Sequence, residues 1–418
     1  MNGMEKPMRQ FVGLAPLPRV IKVVLKTAAC VGALALLSSG ANAQPPTPDQ
    51  AVRMYNRIAG VPPTAAELSA MLAAATPQAA AEIATNDPKF YNDTIRNMAA
   101  PWTNRDQSVF VPLNDYTATV IGMVRDNVPF NTVLSADILY VGDGTSNEGA
   151  YSPDNNNMYI NLDNDNVDLS AHLKKTTQSS LIGIPAAAVA GVMTTRGAAS
   201  AFFVNGTNRA MFRFTMINHL CNDLPTVMDT TRPPDRIRQD VTRSPGGVST
   251  LFLTNCIGCH SGMDPMAQAF AYYNFSYPAS EVGATDFPTG QIVYTAGQTQ
   301  PKYHINNTNF PQGFNTPDDS WNNRWRTGPN ANLGWSASGG SGQGAQSLGV
   351  ELESSAAFAS CQVTRVFKTV CYRAPATSSL ESPSGDLQQI NTMISSFQTN
   401  GYSLRQVFID AAVYCKGN

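Results

Sequence analysis

Charge is scarce in this chain. Lys, Arg, Asp and Glu make up 14% of its 418 residues, against about a quarter in ordinary globular domains. The formal net charge is −2, so neither a nucleic-acid backbone nor an anionic membrane surface is the implied partner. Histidine is scarcer still, at four residues: His172, His219, His260 and His304. Long apolar runs are missing as well. Thr27 to Leu37 is the candidate, and it falls short of the roughly 20 residues that cross a bilayer. Extending it back through Val20–Leu25 would bury Lys22 and Lys26, which is costly in lipid. No transmembrane segment is therefore expected in the mature chain.

The same short run has another use. Arg19, Lys22 and Lys26 precede it, and Ala41-Asn42-Ala43 follows it as a small-residue cleavage site before Gln44. A basic stretch, an apolar stretch and an A-x-A ending make a secretory signal, so residues 1–43 are expected to be removed on export. Cys30 heads the apolar run and does not sit at the cleavage site, so no lipid anchor is read there. There is no twin-Arg pair, which points to export of an unfolded chain into the periplasm or an equivalent exported compartment. The mature length suffices for two or three domains, and 43% hydrophobic residues suits a globular protein.

Cysteine is not lacking. Of seven, Cys256 and Cys259 stand in Cys256-Ile257-Gly258-Cys259-His260, the C-x-x-C-H sequence of c-type haem attachment. Two thiols at this spacing reach the two vinyl groups of one porphyrin, and the His that follows becomes the proximal iron ligand. A redox disulfide would leave the His unexplained and lacks a βαβ context. Half a zinc site would need a second C-x-x-C or paired His, and none accompanies it. A haem motif in an exported chain is consistent, because c-type haem is attached after export. One covalent haem c is expected, since no second C-x-x-C-H occurs.

With Cys30 in the signal, Cys221, Cys361, Cys371 and Cys415 remain, an even number in an oxidising compartment. Cys361 and Cys371 fall on one expected helix, about 15 Å apart, too far to bridge. Cys221 then pairs with one of them and Cys415 with the other, unless all four stay as thiols.

Helical patterns dominate the chain. Thr47-Pro48 opens a helix that Gly60 closes, and Thr64-x-x-Glu67 is a capping box. Asp87-Pro88 starts a helix carrying Phe90, Ile95 and Met98, and Asn114–Val124 and Phe130–Leu139 continue the pattern. Residues 142–169 turn rich in Asn, Asp, Gly and Ser. Asp163, Asp165 and Asp168 lack the Gly and distal Glu of a calcium loop, so a solvated loop is expected. Ala186–Thr195 reads as a small-residue helix, and Asn208–Cys221 as another. A short helix, Val248–Asn255, delivers Cys256, and Phe252 one turn earlier can pack on a haem edge. Asp264-Pro265 reads as the cap of the next helix, to about Tyr273. Residues 276–350 are loop-rich, with Trp321, Trp325 and Trp335, and end in the linker-like Gly339–Gly342. Ala356–Tyr372, Asp386–Phe397 and a segment capped by Ser403-x-x-Gln406 give three final helices. The expected fold is mainly α: a helical region over 44–235, a c-type cytochrome-like haem segment with long loops over 236–350, and a three-helix region over 351–418.

Helix, aromatic and C-x-x-C-H together resemble the opening of class I c-type cytochromes. Most of the mature chain resembles the planctomycete-type cytochrome-like family, large exported proteins with a single C-x-x-C-H. Four stretches carry the likeness: Gly60–Thr64 with Glu67-Leu68; Ala190–Thr194 leading to Asn208-Arg209 and Leu220-Cys221; Cys259–Pro265; and Phe358 through Cys361 to Arg373, with Gly401–Leu404 beyond. The family usually follows Met-Asp-Pro with Gly and then acidic residues around an aromatic, where this chain has Ala267, Ala271 and Asn274. The likeness implies a haem-binding exported protein and no substrate.

What such a haem does depends on its sixth ligand. Met263 and Met266 are too close to His260 to reach the other face, and the next Met is Met393. His304 is the one downstream His, at a suitable interval; His219 and Met216 are upstream candidates. Arg236, Arg238 and Arg243 precede the haem helix. They could pair with haem propionates or with Asp235 and Asp240, and Arg243 is carried as the propionate candidate. The leading expectation is an electron carrier with bis-His iron, ligated by His260 and His304, and a redox partner protein. The rivals are a peroxidase- or oxygenase-type haem enzyme with an open distal site, and an assembly protein with a structural haem.

Overall fold

Capping chemistry sets the first elements. Thr47 accepts the Gln50 backbone N–H and the Gln50 side chain accepts the Thr47 N–H, opening the helix Pro48–Ala59; Gly60 closes it with φ 76°. Thr64 and Glu67 make the same reciprocal pair at the start of Ala65–Ala73. In this computed structural model the described residues are 44–204, 206–239, 248–281, 289–306, 308, 310–376 and 385–417. The expected signal, residues 1–43, lies outside them.

The mainly α expectation holds. Fifteen α-helices occur among the described residues, with three separate two-stranded antiparallel sheets. Gln44–Asn418 forms one compact unit, so the stretches expected as 44–235, 236–350 and 351–418 share a core. Helix Asp115–Arg125 runs through it with every residue from Asp115 to Val124 buried. The chain's end closes on its beginning: helix Leu404–Cys415 packs on Pro48–Ala59, Pro77–Ala84 and Ala356–Cys371. Helix Ala356–Cys371 in turn packs on Arg209–Leu220, which packs on Ile257–Ala267. This stack of helices carries the C-x-x-C-H segment. Two disulfides tie it together, Cys221–Cys361 and Cys371–Cys415, with Cα–Cα distances of 5.3 and 5.6 Å. Cys361 and Cys371, which lie on one helix, are not joined.

Several local expectations give way to tertiary packing. Phe130–Leu139 is not a helix: a 3₁₀ turn at Phe130–Thr132 leads to the strand Leu139–Gly142, paired with Leu173–Thr176. Ala186–Thr195 forms two 3₁₀ turns, and the α-helix begins only at Arg196. The cause is Gly191, held at φ +50° where an added Cβ would lie 2.0 Å from the Val133 carbonyl oxygen. Over Phe90–Ile95 the helix after Asp87-Pro88 widens to a π-turn. Within the Asn- and Asp-rich stretch, Asn157–Asn164 is helical, Asp163 pairs with Arg96 at 2.6 Å and Asp168 caps a short helix. Gly339 and Gly340 are packed against Glu351 and Arg326 and are no linker. Ser341–Gln343, just beyond, pairs as a strand with Ser320–Asn322.

Candidate haem site

Helix Ser249–Asn255 passes through Cys256 into helix Ile257–Ala267 almost without a break. The Cys256 N–H donates to Phe252 O at 2.8 Å, and the Cys259 and His260 N–H groups both donate to Cys256 O at 3.2 Å. The motif is therefore a single helical turn. Residues three and four apart share a helix face, so both thiols and the imidazole present on one side. Asp264-Pro265 does not begin this helix, contrary to the cap expectation: Pro265 lies inside it. The buried Asp264 carboxylate is taken up by tertiary partners instead.

Cys256 and Cys259 are both half-buried free thiols, whereas the other four described cysteines are in disulfides. Cys259 Sγ donates to Leu224 O at 3.6 Å. Burial, with Cys256 and Asp223 nearby, pushes the Cys259 thiol up, the opposite of the activated thiolate that a redox C-x-x-C uses.

His260 is fixed on two sides. Its Nδ1 lies 3.1 Å from Asp264 Oδ1. The Phe252 ring meets the imidazole edge to face, with centroids 4.7 Å apart. Phe252 itself is buried with Ile237 and Phe310, and Cys256 and Ile257 pack at the margin of that cluster. Asp264 accepts from Arg209 Nε at 2.7 Å and Nη2 at 2.5 Å, and Arg238 Nη2 stands 3.6 Å away. Burial opposes its charge, but the Arg209 guanidinium, His260 and Arg238 hold the Asp264 carboxyl well below the usual carboxylate range.

The opposite side of the helix is anchored tightly. A Cβ at Gly262 would fall 1.9 Å from Trp325 Nε1, and one at Gly258 would fall 2.5 Å from Met228 Cγ. Asp229 N–H donates to Gly258 O at 2.9 Å. Val248 and Leu251, on the helix leading to Cys256, are 52% and 44% exposed.

Other candidates lie elsewhere. His219 and Met216 are buried in the main core. The Tyr116 hydroxyl and His219 Nε2 are 2.6 Å apart, and the His219 ring packs edge to face on Trp102. Neither upstream residue is part of the C-x-x-C-H face. Met263 and Met266 are buried within the helix. His304 ends the 3₁₀ turn Pro301–His304 and is half-buried. The turn meets the site through Tyr303, whose ring lies 4.8 Å from the Arg238 guanidinium carbon. Asp235 pairs with Arg324 and not with the arginines beside it, while Arg236 stacks over Phe314 and reaches Gln268. Arg243 and Asp240 lie outside the described residues. A cavity of about 610 Å³ lined by Ser135, Trp321, Ser347 and Glu351 contains none of the motif residues.

Sequence reading missed two residues of this site, Asp264 as a partner of His260 and Arg209 as the partner of Asp264. The first had a signal, since His and Asp four apart meet on a helix. The second had none, because 55 residues separate Arg209 from Asp264. No family model matches the chain, and no curated protein or solved structure does either.

Proposed function

We propose that this chain binds one haem c covalently through Cys256 and Cys259, with His260 as the proximal ligand, and carries electrons in an exported compartment. The observation that carries this reading is the single helical turn presenting two half-buried free thiols and an imidazole tied at Nδ1 to Asp264. With Nδ1 committed to the carboxylate, Nε2 is the nitrogen for iron. The haem supplies reversible one-electron chemistry at its iron. The chain's own residues hold and orient: Asp264 and Phe252 fix the imidazole plane, and Ile237 and Phe310 keep that side dry. Arg236 is a propionate partner on this reading, as is Arg243. The A-x-A signal ending at Ala43 and the resemblance to the planctomycete-type cytochrome-like family support the same assignment.

His304 is the proposed sixth ligand. Of the four histidines, His260 is proximal, His219 is locked against Tyr116, and His172 pairs with Asp143 at 3.3 Å. A filled sixth position favours a carrier working with a redox partner protein over a haem enzyme with an open distal site. No helix among the described residues is long and apolar enough to cross a membrane. The optical spectrum of the ferrous protein with and without carbon monoxide tests the proposal. A low-spin spectrum unmoved by carbon monoxide, turned high-spin and carbon monoxide-binding by His304→Ala, is expected. Ready binding by the wild type overturns the carrier reading in favour of the enzyme.

A further inference from the structure

Asp264 is an expensive residue to bury, and its surroundings give it one partner that two buried ion pairs do not require. It sits inside the helix, one turn after His260, with its side chain fully out of solvent. Arg209 grips both of its oxygens, Arg238 approaches from a second element, and Oδ1 also faces His260 Nδ1 at 3.1 Å. Two arginines would satisfy the carboxylate alone. The third contact puts a fixed anion against His260 Nδ1.

We propose that Asp264 is a positioning residue that, by accepting a hydrogen bond from His260 Nδ1, makes the imidazole an unusually strong donor and sets a low reduction potential at this site. The inference rests on the haem assignment of Cys256, Cys259 and His260. A carboxylate behind a metal-bound histidine fixes the tautomer and raises ligand basicity, and a more basic axial ligand favours the oxidised metal. The geometry is rigid enough to sustain the effect. Phe252 holds the ring plane edge-on at 61°, and Arg209 prevents Asp264 from rotating away. The guanidiniums also draw on the carboxylate's charge, so they moderate its pull on His260. Arg209 thus opposes Asp264 in setting the potential, although both belong to one hydrogen-bonded group.

Redox titration of the purified holoprotein tests this. Asp264→Asn is expected to shift the midpoint potential to more positive values, and Asp264→Glu to return it toward wild type. A merely structural Asp264 would not give rescue of the potential by the charged homologue. Removing the anion takes this counter-charge from the buried Arg238 and the half-buried Arg209 guanidinium, so Asp264→Asn carries a folding risk. Arg209→Gln keeps the carboxylate and its Arg238 partner, and is expected to shift the potential to more negative values. Haem-loaded, folded Asp264→Asn with the wild-type potential would overturn the proposal, as would an unshifted or more positive Arg209→Gln. A wild-type protein without covalent haem is a different result: it removes the haem assignment itself.

Discussion

Glu353 offers a test of the fold that is independent of any cofactor. It ends the helix Gly344–Glu353 and is only 4% exposed. Its Oε2 accepts the Leu134 N–H at 3.0 Å and its Oε1 accepts the Ser135 hydroxyl. Burial dominates these two bonds and pushes its carboxyl up to about 8. The sign follows from proton counting. Between the ordinary glutamate value and about 8, the folded state keeps a proton that the unfolded state has lost, so stability falls as pH rises through this window. One pH unit corresponds to about 1.4 kcal/mol, and the saturation near the folded value brings the total between pH 5 and 8 to about 3 kcal/mol. Glu353→Gln keeps the shape and an acceptor for Leu134 but cannot ionise. Urea unfolding of both proteins at pH 5 and pH 8 reads the difference. The variant should gain on wild type by about 3 kcal/mol at the higher pH relative to the lower. An identical pH dependence in the two proteins would refute the reasoning.

His219 behaves in the opposite sense: burial, with Arg365 nearby, lowers it to about 3, so stability should fall as pH drops below about 6.5. Nitrogen NMR should find this imidazole neutral at pH 5, and a charged ring there would contradict the packing. Peptide mapping without reduction should recover Cys221 joined to Cys361 and Cys371 joined to Cys415. Replacing Cys371 and Cys415 by Ser opens a loop 44 residues long and should cost about 4 kcal/mol on the chain-entropy model; four alkylatable thiols in denatured, unreduced protein would refute the pairing. Gly349→Ala would place a Cβ 2.0 Å from Leu134 O, backbone that has no flexible end to move. It should destabilise by about 3 kcal/mol or more, and a melting temperature equal to wild type would contradict that contact.

Features closed within a few residues were legible in the sequence. The Thr47 cap, the Thr64 box and the Ser403 cap appear where side-chain oxygens and backbone N–H groups lie three apart, and Gly60 closes its helix where it was expected. The C-x-x-C-H turn was legible for the same reason. The disulfides were narrowed by helix length alone, which excluded Cys361 with Cys371 but left two pairings open. What failed depended on distant partners. Asp264-Pro265 has the local chemistry of a cap, yet Arg209 and Arg238 claim the carboxylate and the helix has begun earlier. Ala186–Thr195 has helical composition, yet Gly191 sits at φ +50° with the Val133 carbonyl in the space a Cβ would fill. Gly339 and Gly340 look like a spacer until Glu351 and Arg326 fill the volume their side chains would need. The distal side of His260 was open in the sequence because spacing limits the histidines without orienting them.

Covalent haem on Cys256 and Cys259 is the proposal on which the others rest. Intact mass of the exported protein, made in a cell that matures c-type cytochromes, tests it most directly when read beside the pyridine haemochrome spectrum. A mass one haem above the apoprotein is expected, with a spectrum showing both vinyl groups saturated, and both should be lost in the Cys256→Ala, Cys259→Ala variant. A colourless wild-type protein at the apoprotein mass, with Cys256 and Cys259 recovered as thiols or as a disulfide, would contradict it.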